Sequence, residues 1–464
     1  MIPQLSSFRA AEAELPRPAG FSASGGKQSL RRAVYLMLAA ADAGAVGVGF
    51  ALASMVYFDK VVGWQSTRLS VLVIPIFLTL ALYGGAYGIN ALLDRSRGAM
   101  RAVIAFIMAV ALMLFVLTEL NLARDFNGWL LALSIGASVA MIVGARTVMD
   151  RIASWLLGNQ PLSELLILDG ISSTEAESCV VLDANDLGIA ADISDPHMLD
   201  RVGNLLKNVD RVSIACSPER QRDWTLILRG AAIDGEVYSG ERPRPKPHLH
   251  AVDPADAPPQ AAPSVLDRLA KRIFDLAIAI PALIFLTPLM TMVAIAIKLD
   301  SPGPVLFVQQ RVGRGNRLFR MYKFRSMRTE LCDRDGVASA RRDDDRTTRV
   351  GRFLRATSID ELPQLFNVLL GSMSIVGPRP HALGSTASEK LFWDIDRRYW
   401  LRHTFPPGLT GLAQVRGHRG ATLHAKDLED RLASDLEYVR NWSLGLDIQI
   451  MLKTFGVLVH PNAF

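Results

Sequence analysis

The chain has 464 residues, of which half are hydrophobic, and it carries a formal net charge of +6. A hydrophobic share this high, with a positive mean hydropathy, excludes a disordered chain and an ordinary soluble enzyme, and it points to membrane spans. The basic excess is local, with 29 Lys+Arg against 20 Asp+Glu from Ser264 onward and 22 against 25 before it, so the C-terminal part suits anionic lipid or phosphates.

Residues 1–30 are rich in Ser, Gly, Ala and Pro and read as disordered, without a signal peptide. Four apolar segments follow, at about 33–56, 69–93, 101–119 and 128–148, each near the ~20 residues that a spanning helix needs. Together they predict a four-helix transmembrane bundle over 31–152. Arg31, Arg32, Arg95, Arg97, Arg101, Arg146 and Arg151 mark one side, against Lys60, Arg68 and Arg124 on the other, which puts both ends of the bundle in the cytoplasm. Asp42 is the exception among nearly uncharged spans, so the bundle reads as an anchor and not as an ion pathway.

Residues 160–240 change character. Short apolar runs at Leu165–Leu168, Val180–Leu182 and Val212–Ala215, with a helical stretch at Leu199–Leu206, predict a small α/β domain with parallel strands. It is Rossmann-like but degenerate: the first strand is followed by Asp169-Gly170-Ile171-Ser172-Ser173, without the glycines that bring a phosphate to a helix N-terminus. The three cysteines, Cys179, Cys216 and Cys332, are dispersed, which excludes a disulfide framework or cysteine-based zinc site. Seven prolines between 241 and 263 predict an extended linker before a final domain at 264–464.

Leu276–Ile297 is a fifth uncharged stretch of spanning length, but Pro281 and Pro288 interrupt it and Lys271, Arg272 and Lys298 flank both ends. A re-entrant helix over about 272–298, broken at Thr287-Pro288 and leaving on the face it came from, satisfies both facts. A proline-kinked span is the alternative.

Between Arg311 and Arg328 stand Arg311, Arg314, Arg317, Arg320, Lys323, Arg325 and Arg328, with no acidic residue among them. Arginine forks and a lysine point charge suit a diphosphate or lipid phosphate, or else a basic face resting on anionic headgroups; sparse aromatics speak against nucleic acid. Farther on, Asp360 and Glu361 are adjacent, so one carboxylate can attack while the other orients, binds metal or handles a proton; alone, the pair equally suits a helix N-terminus. Arg355 lies five residues upstream of Asp360. Arg379 sits between Pro378 and Pro380, which fix its backbone and aim its guanidinium.

Taken together, KRIFD (271–275), SPGPVLFVQQRVG (301–313), YKFRSM (322–327), RATSIDELPQLFNVLLGSMSIVGPRP (355–380) and PGLTGLAQVRGHRG (407–420) resemble the bacterial sugar transferase family, the monotopic phosphoglycosyl transferases. The resemblance covers nearly all of 265–464, and the bundle plus middle domain resembles the large members. It implies an α-rich catalytic domain with a re-entrant helix at the cytoplasmic face of the bacterial inner membrane. The implied reaction moves a hexose-1-phosphate from a UDP-sugar to undecaprenyl phosphate and starts exopolysaccharide or capsule assembly. Glucose is the expected sugar and galactose the alternative. Asp360 matches the nucleophile and Glu361 its partner, with Mg2+ held at Asp360. Lys323, Arg325, Arg355, Arg379 and Pro380 fall in the implied phosphate and nucleotide pocket, and Lys271, Arg272 and Arg311 on the lipid-phosphate or membrane face. A homodimer is compatible with this order of domains, and a membrane scaffold with a vestigial catalytic domain is the competing reading.

Overall fold

The computed structural model describes residues 24–58, 64–88, 91–92, 94–119, 127–158, 163–171, 180–233, 235–239, 265–329, 345–418, 422 and 424–458. The described chain forms two compact units, one ending at Ser163 and the other beginning at Glu164. The proline-rich stretch 241–263, and residues 1–23 of the stretch expected to be disordered, lie outside the described residues.

The first unit consists of α1 (Ser24–Phe58), α2 (Trp64–Tyr83), α3 (Arg95–Glu119) and α4 (Gly128–Leu157). The first helix begins inside the stretch expected to be disordered. The second ends ten residues early, because Gly84 and Gly85 terminate it and Gly85 adopts the left-handed φ of +68° that a glycine tolerates. Three of the four are long and apolar enough to cross a membrane, and the apolar part of α2 is shorter. Their inward stripes bury Phe50, Phe77, Phe106 and Ile142, with Phe77 and Phe106 edge to face at 5.8 Å. Gly49 lets α1 lie directly on α4, since a Cβ there would stand 2.3 Å from the Ser138 hydroxyl. The outward face is apolar, and on α4 the exposed Trp129 and Trp155 lie 26 residues, about 39 Å, apart, the separation of two membrane interfaces.

Asp42 has a structural role in this unit. It accepts two hydrogen bonds from Arg146 Nε at 3.2 Å, one from Arg146 Nη2 at 2.7 Å and one from the Tyr87 hydroxyl at 2.9 Å. Arg146 also donates to the Gly98 carbonyl at 2.8 Å. A single buried pair thus ties α1, α3, α4 and the segment after α2.

In the second unit, β1 (Glu164–Asp169), β2 (Val180–Asp183), β3 (Arg211–Cys216) and β4 (Gly235–Tyr238) form a parallel sheet in the order 2-1-3-4, crossed by α5 (Pro196–Leu206) and α6 (Gln221–Gly230). That order differs from the 3-2-1 order of a dinucleotide-binding half and follows the flavodoxin type. Asp169, at the C-terminal end of β1, accepts from Arg220 at 2.5 Å and from Trp224 Nε1 at 2.8 Å. A carboxylate therefore sits where a dinucleotide fold would bring a phosphate, consistent with the degenerate loop.

The remainder begins with α7 (Val265–Asp300), followed by the hairpin β5 (Leu306–Val312) and β6 (Leu318–Phe324), then α8 (Arg349–Ala356), α9 (Gln364–Leu370) and β7 (Ser374–Val376), and ends in α10 (Ala425–Arg440) and α11 (Leu444–Leu458). Its core joins Leu365, Val368, Val376, Phe405, Tyr438 and Ile450 to one stripe of α7, Ala279, Leu283, Met290, Val293 and Ile297. The opposite face of α7 exposes Ile284, Phe285, Met292 and Leu299. The break expected at Thr287-Pro288 is absent from the secondary structure: α7 is continuously helical through both prolines, and the Thr287 hydroxyl donates to the Leu283 carbonyl at 2.6 Å.

The α/β domain does not stand apart from the domain that follows it. Trp400 Nε1 donates to the Ile193 carbonyl at 2.8 Å, Asp200 accepts from the Leu318 amide at 2.7 Å, and Arg397 pairs with Asp223 at 3.0 Å. Glycines permit the approach: a Cβ at Gly203 would stand 2.5 Å from the Gly315 carbonyl oxygen.

Candidate active site

The dyad is presented by a tight reversal. Thr348 caps α8 by accepting from the Gly351 amide at 3.0 Å, and Gly351 packs so closely that a Cβ would stand 2.0 Å from the Ser326 carbonyl oxygen. Ser358 then takes a left-handed φ of +56° and turns the chain into one 3-10 turn, Ile359–Glu361, which leads into α9. Asp360 and Glu361 therefore ride on a turn between two short helices, not on the first turn of a helix.

The two carboxylates have opposite surroundings. Glu361 accepts from Lys323 Nζ at 2.9 Å and from Arg379 Nη2 at 2.7 Å. Burial alone would raise its pKa, but these two cations hold it well below the usual carboxylate range. Asp360 accepts no hydrogen bond from any described residue. Burial raises its pKa, Glu361 adds to the rise, and Lys323, Arg355 and Arg379 oppose it. The arrangement is a half-buried, unengaged carboxylate beside a saturated one, among three cations.

Arg379 is held from behind. Arg402 Nη2 donates to the Arg379 carbonyl at 2.7 Å while its Nε donates to Asp435 at 3.0 Å and its Nη1 to His381 Nδ1 at 2.9 Å. Arg311 donates to the Pro380 carbonyl at 3.2 Å. The GPRP stretch also meets the PGLTG stretch: β7 pairs in parallel with strand Gly408–Thr410, and a Cβ at Gly377 would stand 2.4 Å from the Pro406 carbonyl oxygen. Two motifs far apart in sequence thus form one backbone ladder beneath Arg379.

The basic stretch does not converge on one place. Lys323 reaches the dyad. Arg325 donates to the Pro302 carbonyl, to the Ser301 carbonyl at 2.7 Å and to Thr329 at 2.9 Å, fastening the end of α7 and not lining the dyad. Arg311 acts through Pro380, which is itself buried and contributes its carbonyl. Lys271 is buried against Asp447 at 2.7 Å, and Arg272 donates to the Val368 and Leu369 carbonyls at 2.6 and 2.7 Å. Both were expected on a lipid-phosphate or membrane face. Their positive ends instead hold α7 to the domain, because carbonyls at the end of α9 with a lone pair to spare and a buried carboxylate offer partners that water would otherwise supply. Arg355 donates only weakly, to Thr347 Oγ1 at 3.4 Å, which leaves its charge available to Asp360. Thr287 and Pro288 lie within α7, away from the hydrogen bonds of the dyad.

Among the described residues no three His, Cys, Asp or Glu side chains converge as a metal cage. Mg2+ commonly takes one or two protein carboxylates together with substrate phosphate oxygens and water. Asp360, with its lone pairs free, fits that donor set.

Sequence reasoning missed Arg402, His381, Asp435 and Asn367. The last lies inside a quoted motif; the others carry no spacing signal, because they meet the dyad only through the fold.

A sequence model described as bacterial sugar transferase matches residues 266–461. The chain is 51% identical over 189 residues to the "Exopolysaccharide production protein PSS" of Rhizobium leguminosarum bv. phaseoli, a stretch that covers 41% of this chain and 94% of that protein. It is 52% identical over 199 residues, 43% of this chain and 37% of the relative, to the "Undecaprenyl-phosphate glucose phosphotransferase" of Komagataeibacter xylinus. It is 48% identical over 205 residues, 44% and 74%, to the "UDP-glucose:undecaprenyl-phosphate glucose-1-phosphate transferase" of Caulobacter vibrioides.

Proposed function

Because the chain belongs to the bacterial sugar transferase family, of which it covers one member over 94% of its length at 51% identity, we propose that it transfers glucose-1-phosphate from UDP-glucose to undecaprenyl phosphate. The observation that carries this reading is the contrast within the dyad: Lys323 and Arg379 saturate Glu361, while Asp360 keeps its lone pairs free.

In the first step an Asp360 carboxylate oxygen attacks the sugar-bearing phosphorus of UDP-glucose. The bond from that phosphorus to the bridging oxygen breaks, UMP leaves with the electron pair, and an acyl phosphosugar remains on Asp360. In the second step a phosphate oxygen of undecaprenyl phosphate attacks the same phosphorus, the acyl–phosphate bond breaks, and Asp360 returns as carboxylate. No net oxidation occurs. Glu361 holds Lys323 and Arg379 in place, with Arg355 nearby, so that their charges face the phosphoryl oxygens without reorganising during the reaction. Asp360 together with substrate phosphate oxygens would hold Mg2+, which offsets negative charge on the diphosphate when bound.

The lipid acceptor requires the dyad to lie at a membrane surface, and α7 supports that geometry. A straight helix of its 36 residues would be about 54 Å long. Yet Lys271 and Asp275 near its start, and Ile297 and Asp300 at its end, are all hydrogen-bonded to the same domain, and the stripe from Ala279 to Ile297 packs on that domain's core. A simple span would carry its centre away from the domain. A helix bent at its prolines into one leaflet, with the domain on the cytoplasmic face of the inner membrane, accounts for these contacts. Exposed Phe353, Phe366 and Leu370, on the helices flanking the dyad, supply an apolar surface for the same leaflet.

The test is UMP release by the purified chain from UDP-glucose with Mg2+ and undecaprenyl phosphate, and, without the lipid, an adduct of hexose-phosphate mass on the peptide containing Asp360. Release of UMP with no adduct on that peptide would exclude the covalent step. Faster turnover of UDP-galactose would replace the sugar while leaving the mechanism.

A further inference from the structure

We propose that Asn367 is a positioning residue for this transferase: its side-chain amide imitates one residue of a neighbouring strand and so fixes the register of Lys323 against Glu361. This inference rests on the transferase reading and deepens it.

Asn367 lies on α9 and is 1% exposed. Its Oδ1 accepts from the Tyr322 amide at 3.0 Å, and its Nδ2 donates to the Arg320 carbonyl at 2.7 Å and to the Ser372 hydroxyl at 3.0 Å. In an antiparallel pair, alternate residues turn their N–H and C=O toward the partner strand. The Gly313 amide donates to the Arg317 carbonyl and the Arg325 amide to the Val305 carbonyl, so the odd-numbered residues of β6 face β5. Tyr322 and Arg320 therefore turn their backbone groups to the other edge, where a third strand would lie. Among the described residues no third strand is there. The carboxamide of Asn367 offers the same acceptor and donor that a strand residue would.

Lys323 is one step along β6 from this contact, and α9 begins three residues after Glu361. The two ends of the Lys323–Glu361 pair are thus fastened by one amide. A slip of β6 by one residue would send Lys323 to the opposite face of the hairpin. The amide is itself fixed, since the Asn367 carbonyl accepts from the Ser372 and Met373 amides at 3.0 and 3.1 Å and closes the end of α9. Aspartate has the length but no donor, and glutamine has both functions on a longer arm. This explains why asparagine serves here.

The experiment compares full-length wild type, Asn367→Ala and Asn367→Asp in detergent. Limited acetic anhydride labelling without substrate is read by mass spectrometry at Lys323, with Lys390 as internal reference. UMP release is measured in parallel with Lys323→Met and with the double variant Asn367→Ala/Lys323→Met. The expected result is a several-fold rise in Lys323 labelling in both Asn367 variants, a fall in kcat larger than any rise in KM, and a double variant no slower than Lys323→Met alone. Unchanged labelling, with rate losses that multiply in the double variant, would overturn the proposal and leave Asn367 a residue that only supports the fold. If Asn367→Ala does not fold, Asn367→Asp and its labelling decide. If wild type releases no UMP from any UDP-sugar, the transferase reading falls, while the labelling still decides the positioning of Lys323.

Discussion

Asp42 in the apolar helical bundle and Asp360 in the transferase domain are both carboxylates drawn away from water, and they differ in what meets them. Asp42 is matched by one guanidinium and one phenol. Asp447 repeats the pattern in the second unit, with Lys271 at 2.7 Å, the Tyr438 hydroxyl at 2.8 Å and Trp442 Nε1 at 3.1 Å. Asp360 has cations near it and no hydrogen bond from a described residue. A buried charge whose two oxygens are both hydrogen-bonded to a cation or to buried donors has little capacity left for a substrate, and removing its partner costs stability. A carboxylate whose neighbours leave it unengaged has capacity to form a bond. The difference sets the two structural acids apart from the proposed nucleophile without reference to any relative.

Three substitutions test that separation. Asp360→Asn should lower UMP release by about 10⁴-fold and leave thermal melting within about 0.5 kcal/mol of wild type. A large loss of stability with preserved turnover would reverse the assignment. Glu361→Gln is intermediate. It weakens the hold on Lys323 and Arg379, so kcat should fall about 10²-fold, and melting should drop as well, because two cations then face one another with less to balance them. Asp42→Ala should do the opposite of Asp360→Asn. Breaking a buried pair leaves Arg146 uncompensated and costs about 3–5 kcal/mol, read as a lower melting midpoint of the detergent-solubilised chain, while kcat per folded molecule stays near wild type. The double variant Asp42→Leu/Arg146→Met should recover much of the loss, since an apolar pair of similar volume removes the unpaired charge.

Much of this was legible in the sequence, for physical reasons that differ by region. Apolar runs of spanning length announced the bundle because lipid imposes both composition and length, and only the glycine pair at 84–85 shortened one helix relative to its apolar run. Three of the four strands of the α/β domain were legible as short apolar runs, as parallel strands tend to be; β4, Gly-Glu-Val-Tyr at the sheet edge, has no such run and was not expected. The dyad, Lys323 and Arg379 were legible as charged residues inside a run of motifs, and the structure brings the four together. What the sequence did not carry was how each cation is used. Lys271, Arg272 and Arg325 look like Lys323 in a list of basic residues, yet they bond carbonyls and a buried carboxylate because the chain folds back on them. Arg402 and Asp435 lie 33 positions apart on different elements and announce nothing until the Arg379 carbonyl is seen between the chains they join. The docking of the α/β domain through Trp400 and Asp200 is likewise a property of two surfaces and not of any local pattern.

The smallest expected effect concerns His381, a buried group that is neither charge-paired nor reactive. Arg402 donates to its Nδ1, and a guanidinium only donates, so Nδ1 is the accepting nitrogen and the ring is neutral. The Tyr399 hydroxyl stands 3.1 Å from the same nitrogen, Arg431 Nη1 stands 3.4 Å from Nε2, and Arg311 and His403 lie close enough to add to the positive field. Burial lowers the His381 pKa well below its ordinary value, and the surrounding cations lower it further. In the unfolded chain the ring would titrate near pH 6.5. The folded form therefore binds this proton less readily than the unfolded form. The contribution to stability is present above about pH 6.5 and is lost as pH falls toward the depressed folded value, with a slope of up to about 1.4 kcal/mol per pH unit. Carboxylates titrate over part of the same window, so the measurement is a difference: melting from pH 7.5 to 5.0 for wild type and for Asn at this position, His381→Asn, which keeps an acceptor but binds no proton. The variant should start less stable at pH 7.5 and lose stability more slowly on acidification, so that the two curves converge. Parallel curves would mean that the ring binds its proton equally in the folded and unfolded chains, and curves that diverge on acidification would mean that the folded ring is protonated; either would require the hydrogen bond from Arg402 to be reassigned.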